Sequence, residues 1–286
     1  MSQPSDADAS APGAADLVAL DLKIPPCPEV LATFATEARK EDPDIRVLAA
    51  LIGKDAGLAA AILKTVNSPL FGLTRKAADI PQALAILGLR ACTNLITGLL
   101  LRQAFPVGAG PLMQRYWDES TRAAEAAIAV TRLARGVGRD QAHTYTLFRN
   151  CGMAVMITRF PDYANIVEAH ANAPGPELAL AEEARYRFDH ARVGYALARG
   201  WQLPEALCHT ILLHHEIEQV ATRTRAAAAA NPALLAVGLL AEQVVRLRAG
   251  QALTGEWSAH EGFALQTLGI EPDAIIELVQ APALDP

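Results

Sequence analysis

Apolar residues recur along this chain at three- and four-residue intervals, and no window alternates with the period of a strand over a useful length. Ile45, Leu48, Ala49 and Ile52 form one such stripe, and Leu58, Ala61, Ile62 and Val66 form the next. Polar punctuation falls between the stripes. Pro25-Pro26-Cys27-Pro28 sets an extended entry, with Pro28 placed to open a helix that runs to about Lys40. Asp42-Pro43-Asp44 stops that helix and caps the one after it, Asp55 caps a third, and Asn67-Ser68-Pro69 ends it. A loop through Phe71, Gly72, Arg75 and Lys76 leads to Asp79 and to two helices at about 80–87 and 89–104.

The clearest internal break is Phe105-Pro106-Val107-Gly108-Ala109-Gly110-Pro111. Beyond it the pattern predicts helices at about 112–136, 139–159, 161–172, 176–186, 189–200, 204–217, 232–249, 259–268 and 271–280. Asp162, Asp189 and Pro204 lie near starts, and Gly136, Gly200 and Gly250 near ends. The expected fold is all-α, a multi-helix bundle in two packed helical halves. The expected organisation is a disordered lead-in at 1–21, rich in Ser, Ala, Asp, Pro and Gly, then a helical subdomain at 22–105, a linker at 106–111 and a second helical subdomain at 112–286.

Composition supports this picture: 51% of the 286 residues are hydrophobic, only 5% are aromatic, and alanine and leucine, both strong helix formers, dominate the apolar set. A formal net charge of -6 gives no electrostatic footprint for nucleic acid or an anionic membrane. The N-terminal segment carries no basic residue before Lys23, the opposite of a secretory leader. Leu84 to Leu101 is long and apolar, but Arg90, Asn94, Gly88 and Gly98 interrupt it, so it reads as core rather than as a membrane span. Cys27, Cys92, Cys151 and Cys208 form no CxxC pair and suit reduced thiols in a cytoplasmic protein. Cys151 could be redox-sensitive, although a small buried thiol is the simpler reading.

Histidine carries the candidate chemistry. Asp189-His190 opens one predicted helix, and the following helix is expected to hold His209, His214 and His215, next to Glu216. On one helix His209 and His214 would stand roughly 140° apart, too far round to chelate one ion, so a metal would need ligands from several helices. Asp189 and Glu216 are adjacent hydrogen-bonding candidates if the histidines are structural. The segment from Val47 to Ser68 has a helix-turn-helix outline, but its second helix starts with Ala56, Gly57 and Leu58, which offer bases nothing to read.

The stretches IPPCPEVL, LIGKDAGLAAAILKTVNSPLFG, DIPQALAILGLRACTNLITGLLL and FDHARVGYALARGWQLPEALCHTILLHHE together resemble the HDOD family, the HD-related output domains of bacterial signalling, over about residues 22–250. The resemblance implies that the C-terminal half is like an HD-type metal phosphohydrolase, whose histidines and aspartates hold divalent ions that activate water against a phosphate ester. Matched to that pattern, Glu119 stands at the first His position, Arg149 and Asn150 at the His-Asp pair, His190, His214 and His215 at the later His positions, and Glu242 at the late Asp position. A guanidinium cannot ligate a metal, and Asn is a weaker donor than a carboxylate. The resemblance therefore implies a degenerate site with no catalytic residues, metal or cofactor. Arg149 would bridge to Glu119 or another acid, or clamp an anionic or nucleotide-like ligand with His190, His214 and His215.

The expected function is that of a non-enzymatic signal-transduction protein that binds a protein partner or an anionic small ligand, with no role at a membrane. A weak metal-dependent phosphohydrolase is the alternative. DNA binding comes third, because no basic face is evident.

Overall fold

Aspartate caps lay out the N-terminal half. In the computed structural model, which describes residues 22, 24–68, 76–170 and 175–281, the described residues are helical with no strand among them. Helix α1 spans Glu29–Ala38, α2 Ile45–Gly53, α3 Ala56–Val66, α4 Ile80–Leu87 and α5 Leu89–Ala104. The side chain of Asp44 accepts from the Arg46 amide, Asp55 from Leu58 and Asp79 from Gln82, each satisfying a first-turn donor that the helix itself cannot. The Asn67 side chain brackets Ala77, donating to its carbonyl and accepting from its amide, both at 2.8 Å, and so closes the turn after α3. The loop residues Phe71, Gly72 and Arg75 and the expected disordered lead-in lie outside the described residues.

Gly88 joins α4 to α5 at φ +79, a region costly for a residue with a Cβ, and the chain turns there by 118°. The apolar run from Leu84 to Leu101 is thus divided between two helices. No single helix among the described residues is long and apolar enough to cross a membrane.

A short 3-10 turn at Val107–Ala109 leads into α6, Pro111–Val130. Then follow α7 Arg139–Phe148, α8 Cys151–Arg159, α9 Tyr163–Ala169, α10 Pro176–Tyr186, α11 His190–Gly200, α12 Glu205–Leu212, α13 Ile217–Ala221, α14 Pro232–Arg248, α15 Gly255–Leu268 and α16 Ala274–Gln280. One hydrophobic core runs across the break between the halves, from Phe34, Leu48, Ile62 and Ile96 to Trp117, Phe148 and Trp201. Two indole N–H groups pin the seams: Trp117 donates to the Phe105 carbonyl at 2.7 Å and Trp201 to the Pro25 carbonyl at 3.0 Å. A second core gathers around α14, whose Leu235, Val237, Leu240 and Val244 are buried against Ala126 and Val130 of α6 and Trp257 of α15.

Four expected boundaries move the most. The helix expected at 112–136 ends at Val130. That expected at 139–159 breaks at Arg149-Asn150, where Asn150 leaves helical geometry (φ -103, ψ 20) and its side chain turns to Glu242. The one expected at 204–217 stops at Leu212, and the Glu216 amide closes a turn onto the Leu213 carbonyl, so His214 and His215 lie in a turn rather than on a helix with His209. Finally α15 begins at Gly255 rather than 259, because Thr254 caps it by accepting from the Trp257 amide. Two of these breaks form the candidate site.

Candidate functional site

The two interrupted helices aim their turns at each other. Arg149 and Asn150 come from the α7–α8 break, and His214 and His215 from the turn after α12. His190 opens α11, held there by the Asp189 cap, which accepts from the Arg192 amide at 2.8 Å. Glu182 projects from α10, Glu242 from α14 and Glu256 from the first turn of α15. Glycines make the convergence possible. A Cβ on Gly152 of α8 would stand 1.9 Å from the His190 carbonyl oxygen, and one on Gly238 of α14 would crowd Tyr145 at 2.8 Å and Arg149 at 3.4 Å.

Each histidine has its Nδ1 committed to oxygen. His190 Nδ1 lies 2.7 Å from Glu182, His214 Nδ1 lies 2.6 Å from the Ile211 carbonyl, and His215 Nδ1 lies 2.9 Å from Glu256. Oxygen acceptors require that each Nδ1 carry the hydrogen, which leaves the Nε2 positions to face inward. His190 Nε2 is 3.2 Å from Nε2 of both His214 and His215. Three neutral rings would bring three lone pairs together, so the arrangement calls for a cation at its centre. A proton on His190 meets that need in the bare protein. Burial opposes its charging, but the Glu182 carboxylate outweighs burial and moves its pKa upward. Burial together with the neighbouring cations drives His214 and His215 well down, so they stay neutral acceptors. Glu182 is fully buried; burial alone would favour its neutral form, but His190 and the Tyr163 hydroxyl hold its carboxylate below the usual range.

Arg149 is only 1% exposed, with Nη1 at 2.9 Å from Glu242 and Nη2 at 3.6 Å from Glu256. Neither contact has hydrogen-bond geometry, so the guanidinium is held by opposite charge rather than by an aligned fork. Asn150 Nδ2 donates to the other Glu242 oxygen at 3.2 Å.

The structure thus brings together Arg149, Asn150, His190, His214, His215 and Glu242 of the expected set. Glu119 is exposed on α6, near Glu242 but outside the ion pairs of Arg149, which go to Glu242 and Glu256 instead. The histidine partners are Glu182 and Glu256 rather than Asp189 and Glu216. Glu182 has a signal in the sequence, since it shares the buried α10 face with Leu178 and Ala179, where a carboxylate needs a partner. Glu256 lay before the expected start of its helix and carried no such signal. Cys151 is fully buried with its thiol pKa pushed up by desolvation, which suits a packing residue.

The residues divide sharply when tested against the divalent ions of HD-type phosphohydrolases. At the His-Asp position the Arg149 cation and the neutral Asn150 do not fit a metal. The three Nε2 atoms do fit one, lying with their ligand atoms all within 4.8 Å of one another.

The fold and its site define an all-helical domain whose helix breaks gather histidines and glutamates into one buried cluster. The HDOD domain family profile matches residues 24–217, and the chain belongs to that family. A Treponema pallidum protein of uncharacterised function is 31% identical over 188 residues, covering 62% of this chain; the match spans only 35% of that relative's length. Three solved structures share the fold. An HDOD domain protein of unknown function from Geobacter sulfurreducens has a TM-score of 0.65 at 22% identity, covering 92% of this chain and 96% of its own. A Shewanella amazonensis protein provisionally named a phosphohydrolase reaches 0.69 at 19% identity, covering 94% of each chain. A Marinobacter aquaeolei protein provisionally named for signal transduction reaches 0.65 at 20% identity, covering 91% of this chain and 57% of its own.

Proposed function

We propose that this chain is a non-enzymatic regulatory module of bacterial signal transduction, acting in the cytoplasm through a protein partner. The observation that carries this reading is Arg149: a buried, permanent cation paired with Glu242 and Glu256 where a hydrolase of this fold needs metal ligands. With Arg149 at that position, no ion can be held there to bridge a phosphate and polarise it. The same geometry speaks against an anionic ligand on Arg149. Glu182, Glu242 and Glu256 already outnumber the guanidinium, and an anion would have to displace a glutamate from a buried contact.

The second reading, a weak phosphohydrolase, draws on the three histidines and on the provisional name of the Shewanella protein. Turnover of phosphomonoesters and cyclic dinucleotides by protein supplemented with manganese, ferrous iron or zinc separates the two. The regulatory reading expects wild type to match His214→Ala at background; a metal-dependent rate lost in that variant overturns it. Calorimetry with the same nucleotides, wild type against Arg149→Ala, tests the ligand route, with no heat of binding expected.

A further inference from the structure

We infer that His190, His214 and His215 form a mononuclear site for a borderline-soft divalent transition ion, zinc above all, held beside the Arg149 guanidinium. The inference goes beyond the regulatory reading and does not depend on it.

Two of the three ligand–ligand distances already match a chelate, and all three nitrogens lie within 4.8 Å of one another. A tetrahedral zinc ion with Zn–N bonds of about 2.0–2.1 Å sets its ligand nitrogens roughly 3.3 Å apart. His190 Nε2 stands 3.2 Å from each of the other two Nε2 atoms. Each ring is also oriented through its other nitrogen, by Glu182, the Ile211 carbonyl or Glu256, which is the arrangement that fixes metal-binding histidines in the correct tautomer. The rings come from different elements, the start of α11 and the turn after α12, so the packed fold, and not one local motif, holds the spacing.

The donor chemistry selects the ion. Three imidazoles suit zinc, cobalt or nickel, whereas magnesium and calcium require oxygen ligands. Charge permits it: Glu242 and Glu256 pair with the one guanidinium, and Glu182 pairs with His190, so an ion that takes the place of the His190 proton meets three carboxylates and one fixed cation. Arg149 fills the neighbouring cation position and limits the site to one ion. With His190 and His214 buried and His215 only 11% exposed, the bound ion would brace α10, α11 and α15 against one another.

Zinc removal by chelator, reloading, and elemental analysis of the full chain test this, with X-ray absorption at the zinc edge to read the ligands. The expected result is one zinc per chain bound through imidazole nitrogens, and a rise in Tm on loading. His215→Ala, at the most exposed of the three positions, should lose that binding; Glu182→Gln should weaken it by about 10- to 100-fold through His190. Far-ultraviolet circular dichroism establishes that both variants are folded. Failure of wild type to retain stoichiometric zinc, or full retention of it by folded His215→Ala, overturns the inference. Zinc bound without phosphoester turnover supports both this site and the regulatory reading; zinc bound with turnover supports the site and overturns that reading.

Discussion

Arg149 holds its guanidinium 2.9 Å from the carboxylate of Glu242 while almost wholly buried, and Glu242 stays about a third open to solvent. The pair is thus asymmetric. Removing the arginine leaves Glu242 and Glu256 facing each other without their cation, whereas removing Glu242 leaves Glu256 to answer the charge.

Arg149→Ala is accordingly expected to destabilise the fold by about 3–5 kcal/mol, the cost of breaking a buried pair on one side. Glu242→Gln should cost less, about 1–2 kcal/mol, since an exposed edge and the remaining glutamate soften the loss. Urea denaturation of both variants checks the order; equal losses would show that the two ends of the pair are equally sealed.

Gly152→Ala should be among the most damaging single-methyl additions in the chain. The new Cβ would meet the His190 carbonyl oxygen at 1.9 Å and the Gly194 amide at 2.7 Å, both backbone atoms that cannot rotate away. Helices α8 and α11 must part, at a cost of about 3 kcal/mol or more. Gly53→Ala, whose Cβ meets nothing within 4 Å, is the control and should be neutral or slightly stabilising. Thermal melts of the two variants suffice.

Asn67→Ala should cost about 2 kcal/mol, because one side chain satisfies both the amide and the carbonyl of Ala77. Asn67→Asp keeps the acceptor but loses the donor and should fall between. Chemical denaturation reads both.

The caps that fix α2, α3, α4 and α11 were legible because an aspartate before an apolar stripe acts within its own first turn. The breaks at Arg149-Asn150 and at Leu213–Glu216 were not, since neither carries a proline or glycine and both are imposed from a distance. Asn150 turns toward Glu242, and His214 and His215 turn toward His190. The family resemblance singled out Arg149 and Asn150, but their partners could not be read from it. Glu256 reaches Arg149 and His215 from more than forty positions away from either, and local spacing does not encode that contact.

His143 makes a pH prediction. It lies on α7 beside Ala91, Asn94 and Leu95 of α5, and burial lowers its pKa from 6.5 to about 4. The unfolded chain takes up a proton near 6.5 and the folded one does not. The stabilisation is therefore complete above about pH 6.5 and is lost as the pH falls toward 4, by about 3 kcal/mol. In His143→Gln the acid limb of the stability profile should flatten over that window. An unchanged limb would place the titrating group elsewhere.

The central claim is that Arg149 and Asn150 have replaced the chemistry of the His-Asp position with a fixed ion pair. Metal-dependent phosphoester turnover measured side by side for wild type and for the double variant Arg149→His, Asn150→Asp tests it most directly. The account predicts no turnover above background by wild type, and any gain confined to the double variant. Turnover by wild type with bound metal, abolished in His214→Ala, would contradict it.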